Sequence, residues 1–314
     1  MVRCPQSRRD AALRAGVCAA ALLASIAITA AQTTSQRTFP TAREAAETLI
    51  DTVKRGNLDE LLAIFGPDGQ DLVASSDPAT GRRNREVFTV AVSERWHLAD
   101  DTANRKTLVI GNEDWPFPVP IVKSGSRWKF DTAAGKEEVL DRRIGRNEGS
   151  AIDTCLAYVT AQRRYAQQRH DGKPAGLYAS TFKSDPGKEN GLYWPTSKGQ
   201  KRSPLGDLVA DAATEGRPID ANAGPRPFHG YYFRILAAQG AAAPGGAKSY
   251  VAGGAMSQGF ALVAWPAEYN VTGVMTFIVN QEGVVREKDL GAGTHAAATA
   301  MTLYNPDASW HPVH

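Results

Sequence analysis

Cysteine is nearly missing from this chain: of 314 residues, only Cys4, Cys18 and Cys155 carry a thiol. The first two fall in an N-terminal stretch ordered like a secretory signal peptide. It has a basic start (Arg3, Arg8, Arg9, Arg14), an apolar run from Ala15 to Ala30, and small residues ending near Ala31. Cleavage there leaves Cys155 alone, which excludes an intrachain disulfide and leaves stability to packing. Cys18 follows Val17 inside the apolar run, where lipidation would want a small residue. No second run of ~20 apolar residues follows, so the mature chain is expected to have no transmembrane span and to be periplasmic or secreted.

An excess of charge of one sign is also lacking. The chain has 36 Lys+Arg against 33 Asp+Glu, and the leader removes four basic residues and one acid, leaving 32 of each. A near-neutral mature chain gives no case for binding nucleic acid, which needs a clustered basic face. Neither H-E-x-x-H nor a paired C-x-x-C occurs, so zinc has no signature, and no G-x-S-x-G marks a serine nucleophile. "AAAPGGAK" lacks the Lys-Ser/Thr of a phosphate loop. The terminal "HPVH" has Pro312 between its histidines, which excludes a helical metal pair. No cofactor is implied.

What is present suffices for two cores. The mature length exceeds one domain of ~100 to 200 residues, and 42% of residues are hydrophobic. The expected division is a signal peptide over 1–31, an N-terminal α+β domain over 32–140 and a C-terminal α+β domain over 141–314. Thr41 and Glu44 stand at capping-box spacing before Ala45, Leu49 and Val53, and Gly56 ends that helix. Asn57 caps a second helix running to Phe65. A third is expected from Arg83 to His97, with Val87, Val90, Ala91 and Glu94 on one side. Extended chain then follows through "KTLVIGNEDWPFPVPIVKSGSRWKFD", where alternating prolines forbid helix. Helices followed by a hairpin meander suggest a cystatin-like or NTF2-like unit.

The charged segment "AAGKEEVLDRRIGRNEGS" reads as a link between the halves, helical in its first part and punctuated by Gly145 and Gly149, with Ser150 and Asp153 capping a new helix. On that helix Ile152, Cys155, Leu156 and Val159 form an apolar stripe, continued by Gln162 and by Tyr165 or Ala166. Cys155 within such a stripe is a packed thiol with a raised pKa, a poor nucleophile. A Gly-rich and Pro-rich passage with a short helix over 205–212 comes next. The strands "GYYFRILAAQ", "FALVAWPA" and "GVMTFIVNQEGVVRE" follow, "NQEG" closing a hairpin.

"IGNEDWPFPVPIV", "WKFDTAAGKEEVLDRRIGRNE", "NGLYWP", "SPLG", "GYYFRIL" and "GFALVAWPAEYNVTGVMTFIVNQEGVV" resemble the bacterial exported domain-of-unknown-function family 2950. The resemblance covers nearly everything after the leader and implies no catalytic residue. More remotely, "AIDTCLAYVTAQRRY" with the later meander is similar to the heads of type IV pilin-like proteins. Asp153, Gln162, Arg163 and Arg164 make the helix too polar to cross a bilayer, and no prepilin leader precedes it. Assembly into a fibre is thereby in doubt, while a pilin-like head remains the expected fold.

Two clusters are the candidate ligand-binding sites. One is Arg142, Arg143, Arg146, Asn147 and Glu148 at the junction, where arginines could fork a carboxylate or phosphate, or instead join the domains by salt bridges. The other gathers Tyr193, Trp194, His229, Tyr231, Trp265, Glu268 and Tyr269, which suit an envelope glycan or peptide if they converge, or else cover a small sheet. The expected function is a non-catalytic binding or scaffolding module whose partner is an envelope component or a protein. The alternatives are an envelope hydrolase using Glu268 or His229 as acid or base, and a secretion or pilus accessory.

Overall fold

The first helix begins where the capping residues place it. In the computed structural model, which describes residues 35–73, 78–196, 202–206 and 227–313, Thr41 accepts the Glu44 amide at 3.1 Å and opens α1 (Ala42–Arg55). Gly56, at φ 67°, closes it with left-handed backbone that costs glycine little. Asn57 likewise accepts the Glu60 amide and starts α2 (Leu58–Phe65). A single turn, α3 (Gln70–Val73), and the longer α4 (Pro78–Glu94) complete this layer.

Helix α4 ends three residues before the expected His97, because Trp96 begins a strand. Strand β1 (Trp96–Thr102) pairs antiparallel with β2 (Arg105–Ile110), Trp96 lying opposite Ile110. The apolar side of α4 also differs from the expected one. Val87 and Val90 are 62% and 61% exposed, whereas Phe88, Ala91 and Val92 pack on the core. Strands β3 (Trp115–Pro116), β4 (Ile121–Ser124) and β5 (Arg127–Phe130) complete an antiparallel sheet ordered β1-β2-β4-β5, with β3 on β2.

The segment read as a linker is the first half of one helix. Asp131 accepts the Ala134 amide and opens α5 (Thr132–Ala166), 35 residues long and therefore ~52 Å from end to end. Gly145 and Gly149 do not break it, and Ser150 and Asp153 lie in its interior rather than at a start. The 140/141 boundary thus falls inside a helix. The buried apolar residues nevertheless form two clusters, one within 39–130 and one within 151–310.

The C-terminal half of α5 lies against a second antiparallel sheet. Its stripe is Ala151, Cys155, Tyr158, Val159, Gln162 and Tyr165, all buried. Leu156, expected in that stripe, is 44% exposed, since it sits one residue past Cys155 and so about 100° around the helix. The sheet contains β6 (Tyr231–Leu236), then after two short ladders, β7 (Ala238–Gln239) with β8 (Lys248–Ser249) and β9 (Val251–Ala252) with β10 (Ala255–Met256), the interior strand β11 (Ala261–Pro266). Strands β12 (Met275–Asn280), β13 (Arg286–Asp289) and β14 (His311–Pro312) follow in the order β14-β13-β12-β11-β6. Every residue of β11 is buried, which requires cover on both faces. Helix α5 supplies one cover and α6 (Thr294–Ala300) the other.

The chain is therefore α+β, with antiparallel sheets throughout. No helix among the described residues is long and apolar enough to cross a membrane. The expected signal peptide over 1–31 lies outside the described residues, as do positions 207–212 of the short helix expected over 205–212.

Candidate functional site

The junction arginines part company along α5. Arg142 donates through Nε to Glu138 Oε1 at 2.7 Å and through Nη1 to the Pro116 carbonyl at 2.8 Å, with its guanidinium 5.1 Å from the Trp115 ring centre. It is committed to the first sheet. Two turns further on the helix grips the second sheet instead. Asn147 Nδ2 donates to Thr272 O at 2.8 Å, and Glu148 Oε1 accepts the amides of Val274 and Met275 at 2.9 and 3.0 Å. Arg142, Asn147 and Glu148 thus fasten α5 to both halves. Arg143 and Arg146 are exposed.

The aromatic candidates lie in separate surroundings. Trp194 is buried edge-on to His170, at 5.7 Å, and His170 stacks on Tyr165 at 3.9 Å. Tyr193, half-buried, exchanges backbone bonds with Phe182 and Ser184. Tyr231 is fully buried, its hydroxyl donating to Met275 O at 2.9 Å. Burial first, and then the neighbouring Glu148 carboxylate, push its phenol far above the usual range. Trp265 faces α6, where its indole N–H meets His295 Nδ1 at 3.4 Å and Arg234 stands over its ring. Tyr269 donates to Asp289 at 3.1 Å from the surface. Glu268 is exposed in a tight turn, its amide donating to Thr272 Oγ1 and its carbonyl accepting from Val271 and Thr272. His229 occupies left-handed backbone at φ 46° beside the Phe228 ring. Tyr231 and Trp265 serve opposite faces of the sheet, so these residues do not gather around one concavity.

A concavity lies in the other half. Helices α1 and α2 line it with Leu49, Val53, Leu58, Leu61 and Phe65; Leu72 and Val73 of α3, Phe88 of α4, Phe117 and Val139 of α5 complete its apolar wall. Its volume is about 550 Å³, inside the ~300 to 1,000 Å³ typical of small-ligand sites. From Phe88 a run of edge-to-face rings leads outward through Phe117, at 5.6 Å, to Trp115 at 6.4 Å. Four polar residues share the lining: Asp71, Asn84, Arg85 and Arg143.

The electrostatics of this lining are one-sided. Asp71 is met by Lys136 at 2.8 Å; that hydrogen bond, and then the ammonium charge, hold the Asp71 carboxyl below its usual range and raise the Lys136 ammonium. Among the described residues Arg85 and Arg143 have no carboxylate partner. An apolar wall with two uncommitted guanidiniums can hold an apolar body and an anionic end. Sequence reasoning found Arg143 but missed the cavity. A void between five helices depends on how their side chains are spaced in three dimensions, which no periodicity reports.

Cys155 takes no part in it. Burial pushes that thiol up to about 12, far from thiolate chemistry. No group of three or more His, Cys, Asp or Glu that could hold a metal occurs among the described residues.

Compared with known families, residues 36–313 match the model of the family described as Protein of unknown function (DUF2950). The match spans most of the chain, which belongs to that family. No curated protein and no solved structure matches it.

Proposed function

We propose that this family member is an exported, non-catalytic binding module of the cell envelope, and that it binds through the helix-walled cavity of its N-terminal half. The observation that carries this reading is the lining. It is apolar over most of its surface, and among the described residues its ionisable groups are two arginines and an aspartate already engaged by Lys136. Arginine holds charge at any physiological pH and so serves to bind rather than to exchange protons. The export part of the proposal rests on the basic, apolar and small-residue order of residues 1–31.

An environment-sensitive apolar dye such as Nile red tests the site. The purified protein should bind it with a blue-shifted emission, and Val53→Trp, which fills the cavity from α1, should reduce that binding at least about tenfold. Equal dye binding by the folded variant would place the site elsewhere. Fractionation of cells producing the full chain tests export, which fails if the protein stays in the cytoplasm at full length.

A further inference from the structure

We infer that the cavity takes a single-tailed fatty carboxylate, with the tail among the helices and the head held by Arg85 and Arg143. This rests on the reading of the cavity as the binding site and names its ligand class. Three observations lead to it. The wall supplied by Leu49, Val53, Leu61, Phe65 and Phe88 offers a tail dispersion contact and release of water. The two arginines stand on different helices, Arg85 on α4 and Arg143 on α5, and both line the same space. Neither has an acidic partner among the described residues, and Asp71, the carboxylate that lines the space among those residues, is drawn to Lys136 and so does not cancel them.

Charge complementarity selects the head. A carboxylate presents two oxygens in the geometry that a guanidinium fork accepts, and such pairs are about twice as strong as neutral hydrogen bonds. A cationic head would face two arginines, and a neutral alcohol would leave both guanidiniums without a counter-charge. Size selects the tail. About 550 Å³ lies in the middle of the range for single small ligands, which suits one chain rather than the two of a phospholipid.

The test is displacement of bound Nile red by dodecanoate, dodecanol and dodecyltrimethylammonium, each kept below its micellar concentration. Dodecanoate should displace the dye about tenfold better than dodecanol, and the cation least well. In the Arg85→Ala/Arg143→Ala protein the preference for carboxylate over alcohol should vanish. If that protein does not fold, salt gives the same answer in the wild type: raising ionic strength should weaken dodecanoate and leave dodecanol unchanged. Equal displacement by acid and alcohol would overturn the fatty-acid assignment and leave the binding site standing. Dye that binds but is displaced by none of the three would also overturn it, favouring an apolar helix or peptide as occupant. A protein that binds no dye would remove the binding reading itself.

Discussion

The carboxylate of Glu148 holds the backbone of Met275: Oε1 accepts its amide at 3.0 Å and the preceding Val274 amide at 2.9 Å. One helix residue thereby fixes the entry of β12, the strand that pairs with β11 and β13. A charged acceptor strengthens each such bond, and truncation leaves two partly buried amides without a partner.

Glu148→Ala is therefore expected to destabilise the protein by about 3 kcal/mol or more, since it removes two hydrogen bonds to a charged group that contribute about 1.5 to 3 each. Glu148→Gln keeps a carbonyl oxygen at the same place and should lose roughly half as much. Urea unfolding followed by far-ultraviolet circular dichroism checks both. Equal losses for the two variants would show that the carboxylate matters through something other than its acceptor oxygen.

Three glycines of the same helix should respond in opposite directions to alanine. A Cβ on Gly135 would meet Val119 Cγ2 at 2.6 Å and Cγ1 at 2.9 Å, closer than packed carbons approach. At Gly145 and Gly149 nothing lies within 4 Å. Alanine gains about 1 kcal/mol over glycine in a helix interior. Gly145→Ala and Gly149→Ala should each stabilise by about 0.5 to 1 kcal/mol. Gly135→Ala should destabilise, because the overlap with Val119, costing ~1 to 3 kcal/mol, exceeds the propensity gain. Thermal unfolding of the three variants decides the signs.

Those glycines also mark where sequence reading ends. The caps at Thr41 and Asn57 were legible because a cap is a contact three residues long. The continuity of α5 was not, since Gly145 and Gly149 look like stops until Asn147 and Glu148 are seen gripping Thr272, Val274 and Met275, more than 120 residues away. The same holds for α4, which was carried on to His97 because nothing local reveals that Trp96 lies opposite Ile110. At the candidate sites residue type draws the eye to an arginine cluster. What each arginine does depends on remote partners: Pro116 O occupies Arg142, and Arg143 opens on a cavity built from helices ninety residues earlier in the chain.

Gln162 was placed in the apolar stripe by spacing alone, and its burial has a specific reason. Its amide nitrogen donates to Ala179 O at 2.7 Å and to Tyr158 Oη at 3.1 Å, and its oxygen accepts the Ala179 amide at 2.9 Å. One side chain thus satisfies both backbone groups of a buried residue in the loop. Gln162→Leu should cost about 3 kcal/mol or more, from two orphaned backbone groups at about 1 to 3 each. Gln162→Glu should be at least as damaging, because a carboxylate would oppose the Ala179 carbonyl and be buried with its charge. Hydrogen exchange gives the local readout: the Ala179 amide should lose its protection in the leucine variant and keep it in the wild type.

The thiol of Cys155 links burial to alkaline stability. Its pKa rises from 9.0 to about 12 on folding, because burial disfavours the thiolate. The folded state then binds the proton more tightly than the unfolded state. This contribution is complete below about pH 9 and is lost as pH climbs from there toward 12. Each pH unit inside the window removes about 1.4 kcal/mol. The buried tyrosines, whose unfolded value is 10.0, are the same in both proteins and cancel in the difference between them. The stability difference between wild type and Cys155→Ala should therefore shrink between about pH 9 and 10, by on the order of 1 kcal/mol. At pH 8 a bulky maleimide should label the native thiol slowly and the urea-unfolded thiol within seconds to minutes. Rapid native labelling, with a pH-independent difference between the two proteins, would mean that the sulfur meets water and that the stripe of α5 does not face the second sheet as described.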